Sequence, residues 1–145
     1  MSNKEIQLAA ISVVKHLLAA DGYEVSDGDH GCGYDVKARK GDEELHVEVK
    51  GAGAMIASLG GFRYLTSGEF DAARKDPNWQ LWVVENLGKP SEVVVTNVPR
   101  HDVLRRLDIE ISWMMRWDRE VQALSRPVGA ETVAKAMAAM GEKAP

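Results

Sequence analysis

Asp35, Glu48 and Lys50 are three charged side chains that one tight turn brings together. They lie on two stretches, residues 34–39 and 45–50, that alternate apolar and polar with a period of two around a turn at Gly41-Asp42. A two-residue loop there, or a four-residue loop from Lys40 to Glu43, gives the same antiparallel register. Arg39 then faces Glu44, Lys37 faces His46, and Asp35 faces Glu48. These residues share one face with Lys50, and the other face holds Tyr34, Val36, Ala38, Leu45, Val47 and Val49, the side expected to meet the core. Directly opposed residues hold their Cβ atoms about 4.5–5.5 Å apart, where like charges repel. An Asp35–Glu48 opposition therefore calls for a raised pKa on one carboxyl or a cation between the two. Oxygen ligands so arranged suit Mg²⁺ (or Mn²⁺), and Lys50 beside them could hold a water or offset charge on a phosphoryl group. Those are the parts needed to hydrolyse a phosphodiester.

A plainer reading stands beside this one. A Glu-x-Lys triplet arises about once by chance in a chain with this many glutamates and lysines. The Asp35–Glu48 opposition could be relieved by Lys37 or Lys50 without an ion, and Arg39–Glu44 is the pairing a solvated sheet face would choose. His30, Cys32 and His46 invite a zinc reading, but a fourth ligand is not evident. His46 reads better as a polar-face residue opposite Lys37 or a neighbour of the metal site, and Cys32 as a small semi-buried side chain in a loop. Lys37, Arg39, Lys40, Arg63, Arg74 and Lys75 could form a phosphate-binding rim around the hairpin.

The elements that must position these groups follow from periodicity. Ile6, Ala9, Ala10, Val13, Val14, Leu17 and Leu18 mark one face of a first helix ending near Asp21-Gly22. A short strand at Tyr23-Glu24-Val25 precedes a loop over residues 26–33. After the hairpin, residues 51–61 read as a flexible glycine-rich loop, close enough to Lys50 to admit a phosphate backbone or merely to connect. Thr66 and Glu69 form a capping-box signature that opens a helix to about Lys75, with Glu69 foremost a cap. Residues 79–84 and 92–96 are apolar strands, 99–107 a short helix, 109–117 an edge strand, and 131–140 a terminal helix. The order implies a mixed α/β sheet flanked by α-helices. Trp113, Met114, Met115 and Trp117, with Met137 and Met140, serve core packing or a homodimer interface.

The 145 residues carry 18 basic and 22 acidic side chains, a net charge of −4, which excludes a polycation that binds nucleic acid by bulk charge. A single cysteine excludes an internal disulfide. No apolar run is long enough to span a bilayer, and no Walker-type phosphate loop occurs. The expectation is one domain over residues 1–145, cytoplasmic and without membrane contact.

Asp35 followed by Glu48-Val49-Lys50 resembles the PD-(D/E)xK motif of restriction-endonuclease-like nucleases. Gly33-Tyr34-Asp35-Val36, Val47-Glu48-Val49-Lys50-Gly51, Leu65-Thr66 with Glu69, and Leu81-Trp82-Val83-Val84 resemble the NO VEIN C-terminal domain family, a branch of that superfamily. The resemblance covers residues 5–86, and the proline expected before the aspartate is absent. It implies a restriction-endonuclease-like mixed sheet with the active site at one edge. It further implies Asp35, Glu48 and the Val49 backbone carbonyl as metal ligands, and Lys50 as the catalytic lysine. In several such nucleases an acidic residue of the first helix also points at the metal, a place Glu5 matches, and the resemblance allows Glu69 a second role near the site. The expectation is a Mg²⁺-dependent nuclease acting on nucleic acid, DNA before RNA, working as a homodimer. Its rival is a non-catalytic module of the same fold that binds nucleic acid or protein, as in a defence or restriction system.

Overall fold

The computed structural model describes residues 1–29, 31–59, 62–108 and 114–142. In chain order the elements are α1 (Asn3–Ala20), β1 (Glu24–Asp27), β2 (Val36–Lys40), β3 (Glu43–Gly51), β4 (Phe62–Tyr64) and α2 (Ser67–Lys75), then β5 (Trp79–Glu85) and β6 (Val94–Pro99). α3 (Arg100–Arg106), β7 (Leu107–Asp108), β8 (Met114–Arg116), α4 (Arg119–Gln122), β9 (Ser125–Pro127) and α5 (Ala130–Glu142) complete the chain. Six strands form one mixed sheet in the order β1-β2-β3-β5-β6-β9, with β3 and β5 parallel and the other neighbours antiparallel. The fold is the expected α/β sheet flanked by helices. Among the described residues no helix is long and apolar enough to cross a membrane.

Both faces of the sheet are covered. On one, Ala9, Val13 and Val14 of α1 and Val133 and Ala136 of α5 pack on Val36, Val47, Val49 and Val84. On the other, Ala73 of α2 and Val103 of α3 pack on Trp79, Leu81, Val83 and Val98. β5 lies between the two layers, which is why its sequence is a nearly unbroken apolar run. The hairpin of β2 and β3 keeps the expected register, with Lys37 opposite His46 and Arg39 opposite Glu44. One face of that hairpin is core, and the other continues sideways onto the second apolar layer.

Several details differ from expectation. Tyr34 is not on the core face with Val36. It precedes β2, packs against the second layer and stacks on the His46 ring at 4.4 Å. The alternation fails there because Gly33 turns the chain at φ +84, where a Cβ would lie 2.7 Å from Ala72 Cβ and Gly68 O. β1 runs two residues further than Tyr23-Glu24-Val25, and the loop after β3 contains a 3₁₀ turn, Ile56–Leu59, with Ile56 buried. The main sheet ends on β9. β8 instead belongs to a separate sheet of order β4-β8-β7, and the expected strand's residues 109–113 lie outside the described residues. Trp117 is buried, and Met137 and Met140 pack against the first layer, so these three serve the core.

Candidate active site

The site forms where β2 stops short of β3. Ladder pairing ends at Val36 opposite Val47, while β3 runs on to Gly51. That leaves the Val49 and Gly51 backbone groups on this edge without a neighbouring strand, and side chains take its place. Asp35 Oδ2 accepts the Val49 N–H at 2.9 Å, and the Asp35 N–H donates to the Val47 carbonyl. Gln7 of α1 donates through Nε2 to the Val49 carbonyl at 2.7 Å and accepts the Gly51 N–H through Oε1 at 3.2 Å. Its amide thus pairs with the strand edge as a peptide group would. α1 can come this close because residue 51 is glycine: a Cβ there would lie 2.9 Å from both Ala10 Cβ and the Ile6 carbonyl.

Glu48 and Lys50 alternate with Val49, and their parallel partners Leu81 and Val83 are buried in the second layer. The Glu48 carboxyl is therefore taken out of water, at 5% exposure, with Leu81 paired beside it. Lys50 Nζ lies 3.2 Å from Glu48 Oε1 and donates to both carboxylate oxygens of Glu69, at 2.6 and 2.7 Å. Glu69 reaches it from the first turn of α2. There it also completes a capping box, accepting the Thr66 N–H at 3.0 Å while Thr66 Oγ1 accepts its own N–H.

Electrostatics follow from this crowding. Burial, opposed by Lys50 and reinforced by Asp35 and Glu69, pushes the Glu48 carboxyl up to about 9. Glu48 thus keeps its proton at neutral pH, within hydrogen-bonding reach of both Asp35 and Glu69. Burial also raises Asp35, against the Val49 N–H and the Lys50 charge. Glu69 moves the other way: burial raises it, but the Lys50 hydrogen bonds and charge, with the Thr66 N–H, outweigh that and hold it below the usual range.

Asp35, Glu48, the Val49 carbonyl and Lys50 are thus brought together. Glu5 is not among them: it is exposed and spends its carboxylate on the Ser2 N–H in the capping box of α1. Beside the site, His46 stands between Glu44 Oε2 at 2.9 Å and Asp76 Oδ2 at 2.5 Å, and Cys32 Sγ faces the Tyr34 carbonyl. These contacts leave the zinc reading no support, and His30 lies outside the described residues. Of the expected basic rim, Lys37 and Arg39 share Glu44, Lys40 donates to the Asp21 carbonyl, and Arg74 and Lys75 pair with Asp71.

The family model described as Protein NO VEIN, C-terminal, matches residues 6–96. The chain belongs to this family. No curated protein matches it. The NO VEIN C-terminal match spans α1 to β6 and includes Gln7, Asp35, Glu48, Lys50 and Glu69, whereas Glu5 falls outside it.

By type, the Asp35 and Glu48 carboxyls and the Val49 carbonyl are oxygen donors of the kind a hard divalent cation takes. Three carboxyl groups meet one ammonium, and the middle carboxyl carries a proton that an ion would replace. Among the described residues no three or more His, Cys, Asp or Glu side chains are disposed to hold an ion by themselves. Two carboxylates, a backbone carbonyl and water make the sort of all-oxygen, partly hydrated set that Mg²⁺ takes. The Val49 carbonyl keeps one lone pair beyond the Gln7 hydrogen bond.

Proposed function

We propose that this chain is a metal-dependent nuclease of the PD-(D/E)xK type that hydrolyses phosphodiester bonds of nucleic acid, DNA before RNA. The observation that carries the reading is the convergence of Asp35, Glu48 and Lys50 at the end of β3, beside an α/β sheet face. The motif resemblance supplies the reaction class. Asp35, Glu48 and the Val49 carbonyl would hold Mg²⁺ or Mn²⁺, which when bound makes a water more acidic and offsets phosphodiester charge. Lys50 Nζ, on the same face, orients the attacking water or stabilises charge developing on the phosphate. Asp35 keeps the end of β3 in place through the Val49 N–H, and Gln7 does so further along the same edge. Two copies acting together would cut both strands of a duplex.

The test is cleavage of single- and double-stranded DNA and RNA with Mg²⁺ and with Mn²⁺, using wild type and Glu48→Gln purified in parallel. Wild type should cut, and the variant should be slower by about a hundredfold or more. Equal rates would remove Glu48 from the chemistry. No cleavage by either protein, with oligonucleotide binding indifferent to Mg²⁺ and to Asp35→Ala, would replace the nuclease with a binding module in a defence or restriction system.

A further inference from the structure

We infer that Glu69 is a positioning residue whose role is to give the Lys50 ammonium a second seat, so that Glu48 is free to take up a divalent cation. The inference rests on the nuclease reading for its ion. Lys50 Nζ is shared between two carboxyl groups, 3.2 Å from Glu48 Oε1 but 2.6 and 2.7 Å from the two oxygens of Glu69. An ammonium and a divalent cation on the same buried carboxylate repel strongly, because little water screens them there. With Glu69 present, Lys50 gives up Glu48 and still keeps an ionised partner. Without that charge, Glu48 is the one carboxylate left to Lys50 among its described ion-pair partners, and the ammonium competes with the ion.

Glu69 suits this role because its own place is fixed from both ends of α2. The Thr66 capping box holds its carboxylate, and at the far end the C-cap residue Asp76 is tied to His46 of β3. The seat is therefore part of a helix that packs on β5, the strand beside β3, and is tied to β3 through side chains. Local sequence marks Glu69 as a cap, the resemblance allows it a second role near the site, and the pairing with Lys50 follows from where α2 docks.

The experiment is a Mn²⁺ titration followed by electron paramagnetic resonance of the free ion, on wild type, Glu69→Gln, Lys50→Met and the double variant. Gln keeps a side-chain oxygen for the Thr66 N–H, so the capping box survives while the charge is lost. Glu69→Gln should bind Mn²⁺ about tenfold more weakly than wild type. Lys50→Met should bind at least as tightly as wild type, and the double variant should match Lys50→Met. A merely structural role for Glu69 would not be rescued by removing Lys50. If Glu69→Gln binds like wild type, the inference is wrong. It is equally wrong if the double variant is weaker than Lys50→Met, since Glu69 would then ligate the ion itself. Should Glu69→Gln not fold, the comparison of Lys50→Met with the double variant alone decides. Failure of wild type to bind Mn²⁺ would overturn this inference and the nuclease reading together, whereas binding that ignores Glu69 overturns this inference only.

Discussion

Among the described residues the same capping box occurs twice. Ser2 and Glu5 open α1, and Thr66 and Glu69 open α2, with reciprocal side-chain to backbone hydrogen bonds in both. Glu5 stays exposed. Glu69 is buried to 7% exposure and holds the ammonium of Lys50. A local motif therefore states how a helix begins but not what its glutamate faces. That depends on the docking of the helix: α1 begins in solvent, whereas α2 packs on β5, beside the strand that carries Glu48.

The largest separation between the two boxes should come from truncating their glutamates. Glu69→Ala leaves the half-buried Lys50 without its main partner and removes a cap, and should lower stability by about 3 kcal/mol in urea denaturation. Glu5→Ala, at an exposed helix start, should shift the same curve far less. Comparable losses would mean that the Lys50 contact adds nothing.

Glu48 tests the contrast from the partner's end. Burial raises its folded-state pKa from 4.5 to about 9. Between those values the folded protein holds a proton that the unfolded chain releases, so the Glu48 contribution becomes more unfavourable as pH rises through that window. Below the lower value both states are protonated and the effect vanishes. Glu48→Gln, which mimics the protonated form, should raise the melting temperature by roughly 5 °C near pH 8, with the gain fading as the pH falls towards the lower value. A gain independent of pH would contradict the protonated carboxyl.

The smallest effect concerns the caps alone. Thr66→Ala should cost about 1 kcal/mol while leaving the Lys50–Glu69 pair in place. Nucleic-acid cleavage, where present, should fall much less than with Glu48→Gln. A loss as large as that of Glu69→Ala would make capping, not the ion pair, the reason for Glu69's burial.

The hairpin register was legible because a period of two is enforced by which side chains must be buried, and Val36, Val47 and Val49 leave one choice. With it came the opposition of Asp35 and Glu48. Tyr34 was not legible, because alternation carries no information once the strand has ended and Gly33 has turned the chain. Gln7 gives no local signal: its contacts to Val49 and Gly51 join residues more than 40 positions apart, and a lone amide on a helix face has no pattern. The Lys50–Glu69 pair is hidden for the same reason, since it depends on where α2 docks. β8 falls within the expected strand at 109–117 but joins a second sheet, which alternation does not encode, and β9, a strand of 3 residues, is too short to show a period.

The most direct measurement is anomalous diffraction from a crystal soaked in Mn²⁺. A single strong peak between the Asp35 and Glu48 carboxylates and the Val49 carbonyl, with Lys50 Nζ moved fully onto Glu69, is the predicted result. A peak elsewhere, or none while Lys50 still bridges Glu48 and Glu69, would contradict the assignment of this cluster as a metal-dependent hydrolytic site.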